Sequence, residues 1–170
     1  MDHQFPKTVT RQELLFEDSD AKFRKLLYEI TALADRVETM RATFARHFGI
    51  TRPQYNILFY IAQHQRDVGL TTGQVATALR VSSPHVVQEV NQLVRVNLIE
   101  KSPNPDDGRS VLLRVSERGF VMIDDLAPTL RDVNDRLFQS LSKSEFDQLC
   151  TLVATILEDA EGVISKLPVD

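Results

Sequence analysis

A chain of 170 residues, 42% apolar and 26% charged, has room for one cored domain plus an oligomerisation region. Its net charge of −4 is uneven: residues 120–170 hold 4 basic and 10 acidic side chains, residues 1–119 hold 16 and 14, so the first two thirds do not repel an anionic partner. One cysteine excludes an internal disulfide framework, no apolar run approaches the roughly 18–20 residues that span a membrane, and the first residues lack a signal-peptide core, so a cytosolic protein is expected.

Residues 1–18 read as an N-terminal arm. Phe23, Leu26, Ile30, Leu33, Val37, Met40 and Phe44 step by three and four, which predicts one apolar stripe on a helix over 19–47. Ser19 or Asp20 is positioned to cap it, and Gly49 to end it. Thr51 and Gln54 have capping-box spacing around Pro53, and Ile57, Leu58 and Ile61 face inward on the helix that follows. A short helix opens at Thr71 to Gln74 and carries Val75, Ala76 and Leu79. Ser83-Pro84 reads as the cap and first residue of a fourth helix that reaches about Asn97. The period then changes. Leu98 to Lys101 and Arg109 to Val115 are strand candidates with Pro, Asn, Asp and Gly between them, which predicts a hairpin. Ser116-Glu117 opens a fifth helix, with Pro128 inside it to kink it or interrupt its bonding. Ser142 and Glu145 cap a sixth, whose stripe is Phe146, Leu149, Val153, Ile156, Ala160, Val163 and Leu167.

The fourth helix carries the most informative face. Val86, Val90 and Leu93 fall in one sector and must face the core, with Glu89 near its edge. Pro84, Gln88, Asn91, Gln92 and Arg95 lie opposite, flanked by His85. Amides and a guanidinium are the groups with which a helix reads base edges or holds phosphates: Asn or Gln pairs with adenine through two bonds, Arg with guanine. A short capped helix, a tight turn and then such a helix form a helix-turn-helix.

These stretches together resemble the MarR family of bacterial transcriptional regulators. The likeness is carried by Thr51-Arg52-Pro53-Gln54-Tyr55, Leu70-Thr71, Val75-Ala76, Leu79, Val81-Ser82, Leu93, Leu98-Ile99, Asp106-Asp107-Gly108-Arg109-Ser110 and Ser116-Glu117-Arg118-Gly119. It implies a mainly α fold, a winged helix-turn-helix over 49–119, with long helices in 19–48 and 120–167 forming a homodimer that binds palindromic operator DNA. The helix over 83–97 would enter the major groove, and the hairpin would be the wing. Arg109 would enter the minor groove, held by a carboxylate of Asp106 or Asp107, with Gly108 permitting the tip conformation. Gln88 and Asn91 would also read bases. Ser82, Ser83, Gln92 and Arg95 would contact the backbone or flank the reading face. The chain departs from the family pattern at Val87-Gln88, where a Thr-Arg pair is frequent, and at Asn97, where Gly is frequent. The change at Gln88 shifts the expected base preference toward adenine.

The two long stripes independently call for a second chain, because each Leu or Ile left exposed forfeits about 1.5–3 kcal/mol. The resemblance also implies an effector pocket, for which Arg41, Arg46, His47 and Tyr55 are candidates. A cation, an imidazole and a phenol suit an aromatic carboxylate or phenolic ligand, whereas the competing reading makes Tyr55 core and the basic groups solvated. Cys150, beside Leu149, reads as buried and structural. His3, His47, His64 and His85 are scattered, no metal-ligand spacing occurs, and no nucleophile–base constellation points to an enzyme. The function implied is a DNA-binding repressor released by a small ligand. The alternative is a winged-helix protein-interaction module without DNA binding, which the acidic total and the missing recognition-helix arginine favour.

Overall fold

The computed structural model describes residues 5–168, so residues 1–4 of the arm, His3 among them, lie outside the described region. Six α-helices and three short strands follow in the order α1(Ala21–His47), α2(Arg52–His64), β1(Leu70–Thr71), α3(Thr72–Leu79), α4(Ser83–Arg95), β2(Ile99–Pro103), β3(Val111–Val115), α5(Glu117–Leu137) and α6(Lys143–Ile164). The chain divides into two compact units, one ending at Met122 and one beginning at Ile123.

In the first unit, α2, α3, α4 and the sheet enclose a small core. Ile57, Leu58 and Ile61 of α2 meet Val75 of α3, Val86, Val90 and Leu93 of α4, and Ile99 and Leu113 of the strands, all at most 2% exposed. Three-and-four spacing on the helices puts these side chains on one face of each. The expected capping boxes form at Thr51/Gln54 and Thr71/Gln74. α4 starts one residue earlier than the sequence suggested: Ser82, not Ser83, is the cap, its Oγ accepting from the His85 amide at 3.4 Å, and Ser83 is already helical. The helix ends at Arg95, and Asn97 closes the turn in the left-handed region at φ 58°. Arg80 does the same between α3 and α4 at φ 53°.

The hairpin contains an additional strand. β1 pairs with β3, Leu70 opposite Leu113 and Thr71 opposite Leu112, so the sheet order is β1-β3-β2. Gly69 is fixed just before β1: its φ is +100°, and a Cβ there would lie 2.9 Å from the Leu113 carbonyl oxygen. Gln65 is buried and accepts from the Val115 amide at 2.7 Å, and the Arg114 guanidinium donates to the Asp67 carbonyl.

The start of α1 differs from its expected form. Asp20 occupies the cap position without making a capping bond. Its carboxylate is taken instead by the arm, accepting from the Thr8 amide at 2.6 Å and the Thr8 hydroxyl at 2.8 Å, and it pairs with Arg24. Lys7 pairs with Asp18, and Lys22 lies 3.9 Å over the Phe16 ring. The described part of the arm is therefore docked on α1. The hydrogen bond from the Thr8 amide, with the Thr8 hydroxyl and Arg24, holds the Asp20 carboxyl below the usual carboxylate range. A carboxyl depressed on folding contributes stability above its unfolded pKa and loses it as pH falls through the folded one. Acidification through that window should speed amide exchange at Thr8 before the core exchanges, and Asp20→Ala should do so already at neutral pH. Unchanged Thr8 exchange in that variant would remove Asp20 as the anchor.

In the second unit, Ser142 and Glu145 form the expected capping box at α6, and Phe138 meets Phe146 edge-on at 5.4 Å. α5 continues helical through Pro128, which supplies no amide donor to it. None of the α6 residues is buried within the chain. Leu149, Leu152, Val153, Ile156, Leu157 and Val163 are all exposed, and Leu26, Ile30 and Leu33 on α1 share that condition. Cys150 is likewise exposed, contrary to the expectation of a buried thiol, because a stripe on α6 is an interior only if something outside the chain covers it. Among the described residues, no helix is long and apolar enough to cross a membrane, and no group of His, Cys, Asp and Glu side chains could hold a metal ion.

Candidate nucleic-acid interface

α4 presents the face that its spacing requires. Val86, Val90 and Leu93 are fully buried, which turns Gln88, Asn91, Gln92 and Arg95 to the exterior; Ser82, Ser83 and Pro84 are exposed at its start, and His85 is half-buried. Glu89, the only acid on the helix, is drawn off this face. The Gln54 side-chain amide donates to it at 2.8 Å, while Gln54 Oε1 accepts from the Thr51 amide at 3.0 Å. One glutamine thus closes the cap of α2 and tethers the acid of α4. Its part in the capping box was readable from sequence; its reach across 35 positions was not. On the exposed face Arg95 donates to Gln92 Oε1 at 3.3 Å.

The wing extends beside this helix. β2 and β3 pair from Ile99 opposite Val115 to Pro103 opposite Val111. Between them the tip is held by its own side chains. Asn104 Nδ2 donates to Ser110 Oγ at 2.8 Å, and Asn104 Oδ1 accepts from the Asp106 amide at 3.1 Å. Asp107 Oδ1 accepts from the Arg109 amide at 3.0 Å. The expected carboxylate clamp on the guanidinium therefore takes another form: Asp107 fixes the backbone of Arg109, whose side chain is exposed, and Asp106 acts through its amide. Short Asn and Asp side chains reach their own neighbouring amides more readily than a long guanidinium reaches back to them. Gly108 has no positive φ, and a Cβ there would meet nothing within 4 Å, so the tip does not require glycine. Asn104 is the tip residue that sequence reading missed; its place between two prolines was the available signal.

Residues 48–110, which span the turn before α2 through the wing tip, match the family model described as MarR family. Over that segment the chain is similar to the MarR family. The HTH-type transcriptional regulator BilQ of Clostridioides difficile is 23% identical over 128 residues, covering 75% of this chain and 84% of BilQ. The HTH-type transcriptional repressor NicR of Pseudomonas putida is 23% identical over 151 residues, covering 85% and 94%. Among solved structures, the Staphylococcus aureus MepR–DNA complex superposes with a TM-score of 0.67 at 23% identity, covering 78% of this chain and 96% of MepR. At that identity the superposition establishes the winged-helix fold.

The four residues considered for an effector do not form one cluster. Tyr55 is 6% exposed and stacks on Phe59 at 4.2 Å, with Phe44 at 6.3 Å. Burial raises its phenol pKa, and the Arg41 charge opposes that rise. Arg41 and Arg52 both pair with Glu38, at 3.3 and 3.1 Å. Arg46 and His47 are exposed at the end of α1, Arg46 bonded to Thr43 and His47 against the Phe48 ring.

Proposed function

We propose that this chain is a regulator of the MarR type, a homodimeric repressor that acts in the cytoplasm by binding inverted-repeat DNA, without catalysis. The observation that carries the reading is the exposed Gln88–Asn91–Gln92–Arg95 face of α4, cleared of its one acid by Gln54 and flanked by a wing that exposes Arg109. Amides and guanidinium suit base edges and phosphates in the major groove, and an exposed arginine at a wing tip suits a narrow, electronegative minor groove. Ser82, Ser83 and His85 at the start of α4 would offer hydroxyls, an imidazole and backbone amides to phosphates. The name of NicR, a repressor, supports the direction of regulation.

The uncovered stripes of α1 and α6 support the dimer. Two-fold pairing would set the two α4 helices about 34–36 Å apart, one turn of duplex. For release by a ligand, Arg41 and Tyr55 are the pair suited to an aromatic carboxylate or phenol, with Glu38 as the group such an anion would displace. Such a ligand shifts DNA affinity only by its differential affinity for the two arrangements of the dimer.

The test is a salt series on DNA fragments that the protein selects from its own genome. Affinity should fall linearly on a log–log plot, with a slope of about −0.9 per neutralised phosphate. Arg109→Ala should weaken binding by about 1–3 kcal/mol. No selected fragment and no salt dependence would leave the protein-interaction module as the better account, and an unchanged Arg109→Ala would remove the wing from the interface.

A further inference from the structure

Lys101 lies in the middle of β2, and its ammonium donates to Oδ1 of Asn91 on α4 at 2.6 Å. An ammonium has donors only, so the carboxamide atom that meets it must be the oxygen. This one contact settles which way round the Asn91 amide sits. The oxygen faces the wing strand, and Nδ2 lies on the other side of the group.

We infer that Lys101 is a positioning residue for base reading, fixing the Asn91 carboxamide so that it offers the duplex amide donors rather than a donor and an acceptor together. The inference rests on the DNA-binding reading above and sharpens it. A free asparagine pairs with adenine through two bonds, accepting from N6 and donating to N7. With its oxygen turned to Lys101 and one of its two lone pairs taken, Asn91 offers the groove its two amide donors more readily than its acceptor. A base edge that carries acceptors alone, guanine with O6 and N7, then suits it better than adenine. The amide face of α4 is therefore not uniformly set for adenine: at Asn91 the wing changes what the helix asks for. Both side chains are exposed, and in water the bond contributes little to folding. Its effect belongs to the complex, where the groove excludes competing water and the local dielectric falls.

The experiment is selection from a random-sequence duplex pool with the full chain, comparing the unaltered protein with Asn91→Ala, Lys101→Met and Lys101→Arg. Asn91→Ala identifies the base pair that Asn91 reads, as the one position whose preference it erases. The unaltered protein should select guanine there, and Lys101→Arg, which keeps a donor, should retain it. Lys101→Met frees the oxygen and should swing that position toward adenine by about tenfold, leaving the other positions as they were. A Lys101→Met protein that weakens every position evenly would make Lys101 a plain phosphate contact and overturn the inference. So would adenine selected by the unaltered protein at that position, or an Asn91→Ala protein that erases no preference. Failure of the unaltered protein to select any motif would instead take down the DNA-binding reading, and this inference with it.

Discussion

Ile156→Glu should leave the protein as single chains at micromolar concentration and lower its affinity for an inverted repeat by about 10²–10⁴-fold. Ile156 is 53% exposed in the single chain and sits among Leu149, Val153, Leu157 and Val163 on a helix that buries none of its residues. Each such side chain left in water forfeits about 1.5–3 kcal/mol, so the stripe as a whole represents many times the stability of one contact. A carboxylate placed in it has to be stripped of water without a partner, a cost that readily exceeds what the lost isoleucine contributed. The penalty on DNA binding follows from linkage. Two reading heads on one body bind the second half-site as an intramolecular event, and separated heads lose that advantage without losing any contact of their own. Thr151→Glu, on the opposite face of α6, should leave both mass and affinity unchanged. Light scattering and a binding titration on the same preparations decide the matter: an Ile156→Glu protein that stays dimeric would mean that α6 is not the seam.

Gly119→Ala should destabilise the fold by about 1–3 kcal/mol or more, while Gly108→Ala should change neither stability nor DNA affinity by a measurable amount. A Cβ on Gly119 would stand 2.5 Å from the Leu98 carbonyl oxygen and 2.6 Å from Val115 Cγ1. Neither neighbour is free to retreat. The Leu98 oxygen already accepts from the Ser116 amide at 3.1 Å, and Val115 is buried in β3 with its amide held by Gln65. Gly119 is itself tied down, its amide donating to Ser116 Oγ at 3.0 Å, while that hydroxyl donates to the Asn97 carbonyl at 2.7 Å. The turn after α4, the last wing strand and the first turn of α5 thus converge on one missing methyl group. Thermal denaturation of the two variants side by side reads the difference, and equal melting temperatures would contradict the packing described.

The contrast between these two glycines shows where sequence alone is informative. Gly108 sits in an Asp-Asp-Gly-Arg run that advertises a turn, so it attracts a conformational role, yet the tip is held by Asn104 and Asp107 and needs no glycine. Gly119 attracts none, because its tightest contact, the Leu98 carbonyl oxygen, belongs to a residue 21 positions earlier, and no local pattern expresses that distance. The same divide runs through the fold. The boxes at Thr51/Gln54, Thr71/Gln74 and Ser142/Glu145 were legible because a cap joins residues three apart, and the buried face of α4 was legible because helical period alone decides it. β1 was not: two residues make no pattern, and Leu70 becomes strand only through Leu113, 43 positions on. Asp20 looked like a cap because a cap is the local use of an aspartate; the arm claimed it instead through Thr8. In the candidate interface, residue types and their face were readable, while the partners that set their chemistry, Gln54 for Glu89 and Lys101 for Asn91, arrive from other elements. Cys150 marks a different boundary, since one chain does not contain the surface that would cover it.

The sheet order β1-β3-β2 leaves β2 as an outer strand with one unpaired side. Such a side is a template on which another extended segment can zip, and a protein that displays two of them per dimer risks linking into fibrils. Here that side is only five residues long, carries the adjacent charges Glu100 and Lys101, and ends in Pro103, which has no amide hydrogen to offer. The wing is thereby kept from adhering to its own kind, and a crowded cell can hold many copies of it without their clotting.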